Sequence, residues 1–214
     1  MQIATIEAGN WWAQPRGAHA PDWILTYQRS LMAAHRTAIV EQVRGLQAET
    51  LLEVRCHCGP NLVRLGRECP DLHMLGVDIS AEAIAAGRQW IASEGLGNRV
   101  QLNAGRMPLI TEQVPSQSVD VVLSCYTLAY LAPQDLDAVL WEIGRLASRA
   151  VILAEPMADA GPSVSLHHRQ GYREWAHSYA ESAQWVNTLR GWSVRSIAVE
   201  PPVDHLNRIL VLER

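Results

Sequence analysis

From Leu51 to Ala154 short apolar runs alternate with segments of helical period, and that alternation implies a parallel sheet whose strands are joined by crossover helices. The first run, Leu-Leu-Glu-Val-Arg-Cys-His-Cys-Gly over 51–59, is a buried strand with one acid, Glu53, that enters a tight turn ending at Gly59. A helix is predicted over Asn61 to Glu68, stopped by Pro70, and a second strand over Met74 to Ile79. Ser80 reads as the cap of an Ala-rich helix reaching Ser93, and Arg99 to Asn103 alternates as a third strand. The strongest later signal is Ser118 to Ser124, an acid followed by a buried apolar run, with a helix over about Pro133 to Ala147 and a fifth strand over Ala150 to Ala154. A helix from Asp22 or Thr26 to about Gln47 precedes this series, residues to Leu189 look helical, and Trp192–Val199 and Asn207–Leu212 alternate as two closing strands joined through Pro201-Pro202.

A strand that runs through a tight turn into a helix presents backbone N–H groups at the carboxyl edge of an open sheet, where nucleotide-like groups bind. Nineteen residues beyond Gly59 the second strand ends in Asp78, within Gly-Val-Asp-Ile-Ser, at the spacing that sets an acid against a ribose. Composition narrows the chemistry. All 18 basic residues are arginine, which excludes a lysine Schiff base, the lysine of a Walker phosphate loop and a Tyr-x-x-x-Lys pair. A net charge of −4 argues against broad nucleic-acid binding. Cys56, Cys58, Cys69 and Cys125 are read as reduced thiols, and Cys56-His57-Cys58 lacks the spacing and the second cluster of a zinc knuckle, so no metal is predicted. With no apolar stretch long enough for a membrane helix and no basic-then-apolar leader, a soluble cytoplasmic protein of 214 residues is expected. We read one domain overall, with a lid-like segment over 1–48 packed on a core over 49–214.

On Glu53, Gly59 and Asp78 the chain resembles the class I S-adenosylmethionine-dependent methyltransferases, the small-molecule type in particular. The resemblance covers about residues 45–160. It implies a Rossmann-like, doubly wound α/β fold: a mostly parallel seven-stranded sheet with helices on both faces and the last strand antiparallel. It also implies S-adenosylmethionine as cofactor and a small-molecule acceptor methylated on O or N; from the charge and the apolar pattern above, neither a nucleic-acid nor a membrane partner is expected. Arg55 and His57 depart from the pattern, standing where it has glycine or another small residue, and the Arg55 guanidinium is expected to project toward the methionine part of the cofactor.

Carried over by position, the cofactor residues are Glu53, Arg55, His57, Gly59, Asp78, Ile79, Gly105, Arg106, Met107 and Ser124. Arg106 takes the place of an acid often found beside the adenine, which leaves a backbone N–H such as that of Met107 to meet the ring. Trp11, Trp12, Tyr126, Tyr130 and Tyr172 are candidates for an aromatic-lined acceptor pocket, although the tryptophans equally suit a terminal arm anchored on the core. His167, His168 and His177 lie after the fifth strand, where a histidine can take a proton from a hydroxyl or amine, or simply pack at a helix start. Three functions stay open: a working methyltransferase; a methyltransferase-fold scaffold whose cofactor affinity Arg55 has removed; and, with least support, a nucleotide-dependent oxidoreductase, since the first turn lacks Gly-x-Gly-x-x-Gly. A monomer or a homodimer is compatible with the sequence.

Overall fold

The computed structural model describes residues 20–106, 114–166, 174–203 and 205–214. Seven strands form one sheet: β1 Thr50–Val54, β2 His73–Asp78, β3 Val100–Ala104, β4 Val119–Cys125, β5 Ala147–Ala154, β8 Ser193–Val203 and β9 Leu206–Glu213. Their order is β3-β2-β1-β4-β5-β9-β8. The five strands from β3 to β5 pair in parallel, and β9 runs antiparallel to both β5 and β8. This is the Rossmann-like sheet expected from the sequence.

The parallel strands read as unbroken apolar runs because both faces are covered. Leu51 points to a cluster with Ile39, Val40, Leu62 and Ile84, whereas Leu52 points to a second cluster with Leu140, Ile143 and Tyr179. The first face carries α2 (Ala34–Gly45), α3 (Pro60–Glu68) and α4 (Ala81–Ser93); the second carries α5 (Leu136–Leu146) and α6 (Tyr179–Trp185). The short strands β6 (Val164–Ser165) and β7 (Trp175–Ala176) form a separate two-stranded ribbon that the sequence did not announce. No helix among the described residues is long and apolar enough to cross a membrane.

Three boundaries differ from the sequence reading. The single helix expected over 22–47 is broken into α1 (Ala20–Arg29), a 3-10 turn over Ser30–Met32 and α2, with Ala33 extended between them. Side chains make the break. Ser30 Oγ donates to the Tyr27 carbonyl at 2.7 Å, and the Arg36 guanidinium donates to the Ser30 carbonyl and hydroxyl at 3.0 and 2.9 Å, capturing groups a continuous helix would use internally. The helix expected to reach Leu189 stops at Trp185, where Val186 turns extended. Pro201 and Pro202 lie inside β8 instead of between the strands, which is permitted because β8 is the edge strand and the ladder register shifts between Ala198 and Val203.

Glycine at position 87 sets how closely α4 approaches the turn after β1. A Cβ there would stand 2.7 Å from the Cys58 carbonyl oxygen, a backbone atom that cannot step aside. Alanine is the better helix former by about 1 kcal/mol, but overpacking of this kind costs about 1–3 kcal/mol. Gly87→Ala is therefore expected to lower the stability by about 1 kcal/mol in urea unfolding, and an unchanged or raised midpoint would show that the turn yields.

Candidate functional site

The site is built where β1, β2, β4 and β5 end. After β1 the chain bends through Arg55, Cys56, His57, Cys58 and Gly59, and every second residue takes the left-handed backbone: φ is 53° at Arg55, 54° at His57 and 77° at Gly59. Only the last is glycine, the residue that adopts this conformation without penalty. The other two each store about 1 kcal/mol of backbone strain. The turn is held by the Cys56 N–H on the Val77 carbonyl at 3.0 Å and the Gly59 N–H on the Cys56 carbonyl at 2.9 Å. Pro60, with φ preset for a helix, then opens α3 at its first position.

Asp78 faces this turn from the end of β2. Its Oδ2 accepts from the His57 N–H and its Oδ1 from the Ser80 N–H, each at 2.8 Å. Burial raises its pKa, against the backbone N–H groups of Ser80 and His57 that hold it down. Half-buried Ile79 follows it, and the Gly105 N–H meets the Asp78 carbonyl at 2.8 Å, so the end of β3 is tied to the same corner. Arg106, next in line, is exposed.

Glu53 turns inward. Its Oε1 accepts from Asn61 Nδ2 at 2.5 Å, the Asn61 oxygen accepts from Arg36, and the carboxyl is only 2% exposed. Burial pushes its pKa up to about 8, with the bond from Asn61 and the charge of Arg36 opposing, so the carboxyl is mostly neutral at pH 7. Above the turn, Tyr27 of α1 stacks on the His57 ring with centroids 4.0 Å apart. Arg36, Asn61 and Tyr27 were not singled out from sequence; the one available signal was the position of Arg36 on the apolar face of α2, beside Ile39 and Val40.

Arg55 reaches across from β1 toward β4, with Nη1 3.5 Å from the Thr127 carbonyl. Burial lowers its pKa while Asp78, Glu155 and Tyr130 act to raise it, and a guanidinium stays charged through such a shift. Beyond it lies Glu155, fully buried at the end of β5 and another residue the sequence reading left out of the site. Its carboxylate collects Ser124 Oγ at 2.7 Å, the Thr127 N–H at 3.0 and 2.9 Å to its two oxygens, and the N–H groups of Leu128 and Ala129 at 3.1 and 3.4 Å. The burial that raises the Glu155 pKa to about 7 is countered by Ser124 and these N–H groups. The post-β4 loop thus wraps the Glu155 carboxyl, and it positions half-buried Tyr126 and Tyr130, with the Tyr126 hydroxyl donating to the Val203 carbonyl at 2.6 Å.

His177 braces the same loop. Its Nε2 lies 3.1 Å from the Leu128 carbonyl, which can only accept, so Nε2 carries the proton and Nδ1 accepts from Ser163 Oγ at 2.7 Å. The ring is fully buried, and burial lowers its pKa. Glu53, Arg55, His57, Gly59, Asp78, Ile79, Gly105 and Ser124 are gathered at this edge, with Tyr126, Tyr130 and His177 beside them. Trp11, Trp12, Met107, His167, His168 and Tyr172 lie outside the described residues.

Residues 51–149, which supply β1 to β4, the turn and Asp78, match the family model of a methyltransferase domain. The match covers just under half of the chain. Solved structures agree in fold. The chain is similar to a magnesium protoporphyrin IX methyltransferase from Synechocystis PCC 6803 with bound SAM, at 16% identity and a TM-score of 0.62, covering 94% of this chain and 86% of that one. It is also similar to a putative O-methyltransferase from Nostoc punctiforme PCC 73102, at 16% identity and a TM-score of 0.67, covering 91% of this chain and 60% of the other. SAM-bound CalS10, an amino pentose methyltransferase from Micromonospora echinaspora, aligns at 14% identity and a TM-score of 0.60 over 84% of this chain and 89% of its own. No curated protein sequence matches the chain. At such identities the neighbours speak for the fold alone.

Proposed function

We propose that the chain transfers a methyl group from S-adenosylmethionine to an oxygen or nitrogen of a small-molecule acceptor. One observation carries this: Asp78 ends β2 directly against the turn that follows β1, with each carboxylate oxygen engaged by one backbone N–H and so retaining acceptor capacity for a ribose diol. The donor set suits the rest of the cofactor as well, because the Arg55 guanidinium has N–H groups left over from its one long hydrogen bond among the described residues. When bound, S-adenosylmethionine supplies a methyl on a sulfonium, a leaving group already activated, so the protein's task is alignment and exclusion of water. Asp78 holds the ribose, Gly59 and the turn set its depth, and Ile79, Gly105, Arg106 and Met107 border the adenine. Tyr126 and Tyr130 face the acceptor together with Trp11, Trp12 and Tyr172, an aromatic set suited to a flat acceptor. We assign proton removal from the acceptor to His167 or His168. His177 positions the loop, since its own proton is committed to the Leu128 carbonyl.

Calorimetric titration of the purified chain with S-adenosylhomocysteine tests this. Micromolar binding is expected, with NAD inert and with Asp78→Ala weakening affinity by about thirtyfold, the worth of a charge-assisted contact. A second reading rests on the two side chains at glycine positions, Arg55 and His57: a methyltransferase-fold scaffold with no cofactor affinity. Silence of the unmodified chain toward S-adenosylhomocysteine would put that reading in place of the first.

A further inference from the structure

The charges around the end of β1 are arranged against the usual needs of an amino-acid group. Arg55 is a cation with uncommitted donors: the Thr127 carbonyl at 3.5 Å is its one hydrogen bond among the described residues, and it forms no ion pair with a described carboxylate. Neither of the two acids that act on it is paired with it. Asp78 accepts from the N–H groups of His57 and Ser80, and Glu155 from Ser124, Thr127, Leu128 and Ala129. Glu53, the acid of β1, is buried against Asn61 with Arg36 behind it, and its second oxygen is sealed from the surface. The backbone at Arg55 is left-handed, and its side chain runs from the end of β1 toward the loop that follows β4.

We propose, resting on the cofactor reading above, that Arg55 is the residue that selects the amino-acid end of the cofactor: its planar fork pairs with the α-carboxylate, and the α-ammonium contributes little to binding. A guanidinium fits a carboxylate through two parallel N–H···O bonds, a geometry no glycine turn can supply from the backbone alone. Glu53 is correspondingly a structural acid, tied to the start of α3.

Three thioethers of 5′-thioadenosine separate the groups: S-adenosylhomocysteine, its deaminated analogue ending in a carboxylate, and its decarboxylated analogue ending in an amine. Each is titrated calorimetrically into the full chain and into Arg55→Met, with circular dichroism confirming that the variant is folded. In the unmodified chain the deaminated analogue is expected to bind within about threefold of S-adenosylhomocysteine, and the decarboxylated one about thirtyfold more weakly, a ratio matching one charge-assisted contact. In Arg55→Met the two carboxylate ligands lose about thirtyfold and the amine ligand is unchanged. Equal binding of all three to the unmodified chain, or tighter binding of S-adenosylhomocysteine by Arg55→Met, overturns the role of Arg55 while leaving the cofactor reading intact. Failure of every ligand with both proteins overturns the two together.

Discussion

Replacing Glu155 by alanine is expected to destabilise the fold by about 4 kcal/mol, the sum of several buried donors left without an acceptor. Ser124 and Leu128 are fully buried, and Thr127 and Ala129 are 3% and 1% exposed, so water has little access to the groups that Glu155 now satisfies. Two effects oppose each other. Deleting a carboxyl that burial has driven up to about 7 relieves desolvation of its partly charged form, but each orphaned N–H or hydroxyl costs about 1–3 kcal/mol, and the orphans outnumber the single acid. Glu155→Gln, which keeps one oxygen but sets an amide N–H against donors, is expected to lose about half as much. Urea unfolding followed by circular dichroism at pH 6 measures both, and a loss below about 1 kcal/mol for the alanine variant would show that the loop re-satisfies itself. The loop over 127–130 carries Tyr130 and the carbonyl that meets Arg55, so the same substitution should also blunt ligand binding.

Glu53→Gln is expected to act in the opposite sense and only at higher pH. The folded-state pKa of Glu53, about 8, lies above its ordinary 4.5, so the folded chain holds a proton that the unfolded chain releases. The stability tied to that proton is complete below about pH 4.5 and is lost as pH rises through about 8, on the order of 3 kcal/mol between pH 5 and pH 8. Glutamine keeps an oxygen for Asn61 and has no proton to lose. The variant should therefore match the parent within about 1 kcal/mol at pH 5 and exceed it by about 3 kcal/mol at pH 8. Equal slopes of stability against pH for the two proteins would refute the assignment of a neutral Glu53. Glu155, raised to about 7, bends the curve in the same direction and is common to both.

The parts of the fold that could be read from sequence are those fixed locally. Apolar runs without alternation gave β1, β2, β4 and β5, Ser80 marked its own cap at 3.2 Å from the Ala83 N–H, and the spacing from Gly59 to Asp78 placed both at one sheet corner. What stayed hidden depends on partners distant in sequence. Glu155 looked like the polar end of a strand because its donors come from a loop about thirty residues earlier, brought alongside only by the pairing of β4 with β5. Arg36 splits α1 from α2 through bonds to Ser30 while the apolar pattern runs on without interruption. The identity of Arg55 was plain, but its backbone was not: neither arginine nor histidine as a residue type announces the left-handed φ found at both Arg55 and His57.

The position of β9 bears on how the chain reaches this structure. Residues 206–213 do not extend the sheet at its rim; they slot between β5 and β8, and Leu206, Ile209 and Val211 close the cluster that holds Ile39, Val40 and Val43 of α2. Until that stretch has left the ribosome, β5 keeps an unpaired edge and α2 an uncovered apolar stripe, the two features that invite mispairing between nascent chains. Synthesis of this domain thus leaves it sticky through most of its length, and its assembly is completed by contacts more than 150 residues apart, the arrangement for which folding is slowest.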